Sequence, residues 1–479
     1  MSNDADRPKW GRALLLAAFG TVLVWQIVTR SFAAYLAVEA PATALTLRPD
    51  EPTALLALAD AMLNQRSDGE AASDALDERV QRAAGEGDRI GGWAEIALKA
   101  VAAKISGSEA PATDAEPLPL SDEVRALVRA RAQAAIGQAP LNARALRILG
   151  QLADAAGDEA RAAQLMRAAA DRSLSESLAT SWMLQQSVAT RDYAQAVSYA
   201  DTLLRKRPQL MPHVIPVLGK LAESGDAAAV GAVQAALVQD PPWRGSFFAN
   251  LPRGITDART PLNLLLGLEG GAAPPTTAEL GGYLRFLIDR KLYELAYYTW
   301  LQFLPSDELG RIGYLTNPGF ETAPSGLPFD WVIRQGTGAT IDVAAIPGEA
   351  DAHGLLLDLG PGRADFNGVT QLVMLTPGVY RLSGRLKGES RGKRGLQWSI
   401  RCAGTGGPPL GESPMFVGVA LAWTDFDLSF TVPDEDCRAQ ELRLALAARS
   451  ASEQLVSGSV WYDDLHITRA PAGEAANAP

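Results

Sequence analysis

Histidine and cysteine are almost missing from this chain: three of one and two of the other among 479 residues. His213, His353 and His466 lie in different segments, and none stands at metal-ligand spacing from another. A zinc centre of closely spaced His and Cys ligands is thereby excluded, and each histidine reads as a surface or capping residue. A phosphate-cradling glycine loop is also missing. The run GPGRADFNG, Gly360 to Gly368, has no lysine or helix after it and reads as a turn. Nor is there an excess of positive charge. The net charge of −11 argues against general nucleic-acid binding and fits an acidic, soluble surface. Carboxylates are plentiful, and two at the right separation would suffice for a glycosidase. No constellation singles such a pair out, so the chain is expected to be non-enzymatic.

Long uncharged runs occur once. Ala13 to Thr29 carries no charge over seventeen residues, near the lower limit for crossing a bilayer as a helix. Arg7, Lys9 and Arg12 precede it, which places residues 1–12 in the cytoplasm and a membrane anchor at 13–36. Everything after it then lies across the membrane. The competing reading is a cleaved signal peptide, with Ser31-Phe32-Ala33 as a weak small-x-small site. The run is somewhat longer than a signal core, and Pro41 would block cleavage after Ala40. Both readings export the bulk of the chain. Export would favour pairing of Cys402 with Cys437, worth about 3–4 kcal/mol for a loop of this length. Two buried free thiols are the alternative.

What the chain has in abundance is alanine-rich helical pattern before residue 310, and a ruler runs through it. Pro140, Pro208 and Pro242 are spaced by 68 and 34 residues, with Leu174 at the intermediate place. Gly157, Arg191 and Gly225 are each 34 apart at a turn, as are Ala162 and Ala196. This period of helix, turn, helix and proline resembles the tetratricopeptide repeat. Leu146, Leu149, Gly150 and Ala153 match the packing places of the family's first helix, and Ala162, Met166 and Ala169 those of its second. Tyr193, Ala196 and Pro208 follow in the next repeat. The chain departs from the family in lacking its first-helix tryptophan. An earlier half-repeat follows Pro49, and a late one includes Tyr293, Ala296 and Trp300. Residues 40–310 are thus expected to form an all-α helical-repeat solenoid, with a polar loop at 107–122. The resemblance implies protein partners on a concave repeat surface.

After Leu315 the period becomes two. Tyr380, Leu382 and Leu386 alternate with Arg381, Ser383, Arg385 and Lys387. Leu396, Trp398, Ile400 and Cys402 alternate with Gln397, Ser399 and Arg401, and Phe426, Leu428 and Phe430 with Asp425, Asp427 and Ser429. Such half-buried strands separated by turn residues predict an antiparallel β-sandwich or jelly roll over 315–470. The tail 471–479 reads as disordered. NPGFE at Asn317 to Glu321, Trp331, and the closing GSVWYDDLHIT at Gly458 to Thr468 resemble the ends of galactose-binding-like sandwiches found among carbohydrate-binding modules. That resemblance implies a structural calcium ion held by Glu321 and Asp463, with Asp464 as a further ligand. Trp461, Asp463, Leu465 and Ile467 share one phase, so a regular strand would turn Asp463 toward apolar company, where a carboxylate needs a partner. An arginine partner or a bulge is the alternative.

Trp331 and Trp398 fall in core phase. Trp423 lies in the phase of Asp425 and Asp427, so an outward tryptophan beside carboxylates becomes the candidate sugar platform. Arg381, Arg385, Lys387, Gln397 and Arg401 also lie on outward faces, where they could meet an acidic polysaccharide or merely keep a strand soluble. The combination resembles accessory proteins of bacterial exopolysaccharide systems. It implies an inner-membrane-anchored periplasmic scaffold that binds proteins through its repeats and a polysaccharide through its sandwich. The alternative is a purely protein-binding envelope assembly factor whose sandwich is a structural cap.

Overall fold

A computed structural model describes residues 10–63, 121–366 and 368–470. Most of the proposed polar loop, the tail 471–479 and residues 1–9 lie outside the described residues. The chain divides into two compact units, Met1–Thr260 and Pro261–Pro479.

The first unit is helical. Helix α1 (Trp10–Glu39) contains a stretch, Leu16–Glu39, long and apolar enough to cross a membrane; a signal sequence has the same character. Its last turns are not free. Ala33 and Ala37 are fully buried, and Ala37 packs with Ala44 of α2 (Pro41–Leu47) and Ala54 of α3 (Pro52–Leu63). Small residues let these helices approach closely. Beyond the undescribed segment come α4 (Asp122–Gln138), α5 (Ala143–Asp154), α6 (Glu159–Arg172), α7 (Ser177–Ala189), α8 (Tyr193–Lys206), α9 (Met211–Glu223), α10 (Ala227–Val238) and α11 (Arg244–Gly254). Leu55, Leu56, Val128, Ala132 and Ile148 join α3, α4 and α5 in one apolar cluster.

The recurring turn has a physical cause. Gly157, Arg191 and Gly225 all adopt positive φ, at 76°, 60° and 72°. A left-handed residue reverses the chain after a helix. An aspartate follows each time and caps the next helix: Asp158 accepts from the Arg161 N–H at 3.0 Å, Asp192 from Gln195 at 3.2 Å and Asp226 from Ala228 at 2.9 Å. Lys291, at φ 60°, repeats the turn out of phase, but Leu292 after it offers no capping side chain.

In the second unit, α12 (Thr260–Leu266), whose first residue lies in the first unit, α13 (Thr277–Asp289) and α14 (Tyr293–Gln302) precede the strands. Tyr297 and Trp300 of α14 pack on Phe329, with ring centroids 5.2 and 5.7 Å apart. This last helical pair, read from sequence with the repeats, therefore belongs to the unit that carries the sandwich. One sheet has the order β1 (Val332–Ile333), β4 (Val369–Val373), β9 (Gln440–Leu446), β6 (Leu396–Cys402), β7 (Gly411–Glu412). The other runs β2 (Ala339–Ala345), β3 (His353–Arg363), β10 (Leu455–Arg469), β5 (Gly378–Gly392), β8 (Gly418–Val432). Every pairing is antiparallel.

An aromatic chain crosses the core. Phe320 stacks on Trp331 at 5.0 Å, Trp331 meets Trp398 edge-on at 5.8 Å, and Trp398 meets Tyr462 at 5.8 Å. The Trp331 indole N–H donates to the Asn317 carbonyl at 2.8 Å, so the NPGFE turn is pinned to the core. Cys402 and Cys437 form a disulfide, with Cα atoms 5.0 Å apart, that ties the end of β6 to the segment before β9.

Candidate functional site

The phase of β10 changes at one residue. Val460 and Tyr462 point into the core, and so do Leu465 and Ile467. Between them the register slips, and Asp464 takes positive φ at 58°. This is a β-bulge, an extra residue that flips the alternation. The consequence corrects the regular-strand reading: Trp461 and Asp463 face away from Leu465 and Ile467, on the outward face of the β2–β8 sheet. Asp463 lies opposite Arg385, and Trp461 opposite Lys387.

Arg385 is the partner of the buried carboxylate. Its guanidinium donates to Asp463 Oδ2 from Nη2 at 2.7 Å and from Nε at 3.2 Å. Glu349 stands 3.5 Å away on the other side. Burial pushes the Asp463 carboxyl above the usual range; the Arg385 hydrogen bond pulls it back only in part. The guanidinium also lies 4.5 Å from the centroid of the Trp423 ring, a cation–π stack. The Trp423 indole N–H donates to Glu349 Oε1 at 2.6 Å. Glu349 belongs to the β2–β3 turn, which folds over this end of the face. Trp423 is therefore half-buried and held in one orientation by two partners. β8 is an edge strand, with no further strand beyond it among the described residues.

Of the six residues expected around a sugar, the structure brings four together. Trp423, Asp425, Asp427 and Arg385 share this outward face, where Asp425 pairs across from Arg385 and Asp427 sits 3.1 Å from Arg381. Gln397 and Arg401 lie on β6, in the other sheet, and face the opposite side of the sandwich. Gln397 donates there to the Ser413 carbonyl at 2.8 Å, and Arg401 stands opposite Glu441. Sequence reasoning missed Trp461 and Glu349, while Lys387 lies on the outward face that its alternation indicates. The spacing of β10's apolar residues, 460, 462, then 465, 467, is the signal that would have exposed the bulge and freed Trp461 from the core.

The calcium ligands fare differently. Glu321 and Asp463 both flank Gly319: a Cβ there would lie 3.5 Å from Asp463 Oδ1 and 3.9 Å from Glu321 Oε1. Glu321 accepts from the His353 N–H at 3.2 Å, and Asp464 is exposed beside His466, 3.6 Å away. Calcium takes six to eight oxygens. Among the described residues no three His, Cys, Asp or Glu side chains converge as a metal-holding group, and the cation on Asp463 is a guanidinium. Glu321 and the Oδ1 of Asp463 meet beside Gly319, while Oδ2 of Asp463 is held by Arg385.

Two hollows occur elsewhere in this unit. One of about 430 Å³ is walled by Tyr297, Tyr314 and Phe329, and its Gln371 amide is consumed by the Thr316 backbone at 2.9 and 3.0 Å. The other, about 280 Å³, has Glu321, Asp342 and His353 but no aromatic wall. The outward sheet face combines aromatic surface with charge, as neither hollow does.

No family model and no curated protein matches the chain. Solved structures similar to the sandwich include a family 4 carbohydrate-binding module, 15% identical, covering 33% of this chain and 99% of that one at a TM-score of 0.26. Another is the TmCBM61 module, in complex with β-1,4-galactotriose, at 22% identity, 33% and 99% coverage and a TM-score of 0.23. A third is the CBM22-1 xylan-binding domain of Xyn10C from Paenibacillus barcinonensis, at 17% identity, 32% and 93% coverage and a TM-score of 0.23. These likenesses concern a third of the chain and its fold only.

Proposed function

We propose that this chain is a non-enzymatic, membrane-anchored scaffold whose sandwich holds a glycan and whose helical unit recruits proteins. The observation that carries the glycan reading is a row across the outward face: Trp461 on β10, Lys387 on β5 and Trp423 on β8. Lys387 pairs with Trp461, and on its other side β8 is irregular between Thr424 and Ala420, where Trp423 lies. Two half-buried indoles two strand spacings apart, about 10 Å, suit successive rings of a polysaccharide, because sugar faces stack on rigid aromatic surface. The Arg385–Glu349 brace holds one indole in place before any ligand arrives, which lowers the ordering cost of binding.

Supporting the scaffold half, the 34-residue turn resembles that of tetratricopeptide repeats, whose stacked helix pairs take peptides on a concave side. In favour of a retained anchor, cleavage after Ala33 would remove that buried residue and cut α1 one turn before Ala37, which packs against α2 and α3. An inner-membrane anchor with the bulk in the periplasm agrees with the disulfide, since oxidising compartments preserve such bonds. The setting that fits is export or assembly of an envelope polysaccharide.

The test is affinity electrophoresis of the full chain in detergent against gels containing xylan, galactan, dextran, alginate or polygalacturonate. Retardation in at least one polymer is expected, with Trp423→Ala and Trp461→Ala each weakening it about tenfold. A wild-type chain retarded by none would favour the rival reading, an assembly factor with a ligand-free sandwich.

A further inference from the structure

We propose that the glycan held on this face is acidic, a polymer bearing uronate carboxylates, and that Lys387 is the residue that reads the charge. The inference rests on the glycan reading above and names its ligand class.

β5, the strand between the two tryptophans, leaves one of its outward charges without an ion-pair partner among the described residues. Its outward residues from Arg381 on are Arg381, Ser383, Arg385, Lys387, Glu389 and Arg391. Arg381 is paired with Asp427 at 3.1 Å. Arg385 is paired with Asp463 at 2.7 Å and Glu349 at 3.5 Å. Glu389 is paired with Arg391. Lys387 is half-buried and, among the described residues, has no carboxylate within ion-pair distance. A cation partly withdrawn from water and left without a counter-ion favours an anion arriving from outside. Here the anion would reach it while sugar rings lie on Trp461 and Trp423 to either side. The neighbouring arginines cannot substitute, because their charge is already spent on protein carboxylates.

The chain's net charge sharpens the point. At −11 the protein repels polyanions at long range. Adsorption of an acidic polymer through general charge is disfavoured, so binding needs a local, built-in cation. A neutral glycan would leave Lys387 unpaired beneath it, a cost that discriminates against neutral chains.

The experiment compares polygalacturonate with its fully methyl-esterified form, the same backbone without charge, using the full chain in detergent. Wild type is expected to bind the acid form about tenfold more tightly, the worth of one charge-assisted hydrogen bond. Lys387→Gln should erase that preference, Lys387→Arg should keep it, and added salt should reduce it. The same comparison with alginate and dextran extends the test beyond one backbone. Equal binding of charged and neutral forms, binding confined to neutral polymers, or a preference unmoved by Lys387→Gln would each overturn the inference while leaving the glycan reading standing. Failure to bind any polymer would overturn both.

Discussion

Arg147 on α5 donates from Nη2 to both carboxylate oxygens of Asp60 on α3, at 2.7 and 2.8 Å, across 87 residues of sequence. The same guanidinium donates from Nε to Glu176 at 2.9 Å and from Nη1 to Gln151 at 2.7 Å. Arg144 adds a second contact to Asp60. This network fastens α3 onto α5 and onto Glu176, the residue before α7.

Removing one partner of a buried pair leaves a charge stranded. Asp60→Ala should therefore destabilise the helical unit by about 3–5 kcal/mol, read as a lower denaturation midpoint with an unchanged slope. A loss below about 1 kcal/mol would mean that Glu176 and water replace Asp60 without penalty.

Arg191 occupies a turn position where Gly157 and Gly225 stand one period away on either side. An L-residue there pays about 1 kcal/mol for its Cβ, and Arg191 is exposed. Arg191→Gly should raise the stability of the helical unit by about that amount, visible by calorimetry as a higher melting temperature. A fall instead would assign the arginine a contact of its own.

Acid should loosen the first unit near Glu223. This carboxylate is partly desolvated, which alone would raise its pKa. Hydrogen bonds from the Asp257 and Thr256 N–H groups and the Thr256 hydroxyl outweigh that and hold it below the ordinary glutamate range. A depressed folded pKa gives stability that is present above the unfolded value and is lost as pH falls through the folded one. Glu223→Gln should lower stability at pH 7 and flatten its decline between pH 5 and pH 3. An unchanged slope in a urea titration across that range would remove the assignment.

Reducing the Cys402–Cys437 bond, which closes a separation of 35 residues, should cost the sandwich about 2–4 kcal/mol. The helical unit should be unaffected. Calorimetry with and without a phosphine reductant separates the two transitions. Thiol titration of the unreduced, denatured chain should find no free cysteine.

Much of this was legible because local chemistry fixed it. The positive-φ turns at 157 and 225 follow from a glycine and a capping aspartate, and at 191 the 34-residue spacing and Asp192 mark the same turn although an arginine fills it. The core phase of Trp398, Phe426 and Phe430 follows from strict alternation. The site was less legible because it depends on register. Which strands neighbour one another decides that Trp423 meets Arg385 while Gln397 and Arg401 fall on the far sheet, and strand order is not written in periodicity. Glu349 reaches the face from a turn three strands away in the sheet order, which no local pattern could announce. The regular-strand phase turned Asp463 toward the core; its burial on the outward face, against a guanidinium 78 residues earlier, required the bulge and the pairing of β5 with β10.

The inserted residue at Asp464 makes β10 tolerant in one way and brittle in another. Exchanging the side chains of the strand's outer half leaves its inner half undisturbed. Shortening the strand by that single residue would rotate everything before it by half a turn, sending Trp461 inward and driving Tyr462 into water. The module can accept new letters at this position but not a missing one.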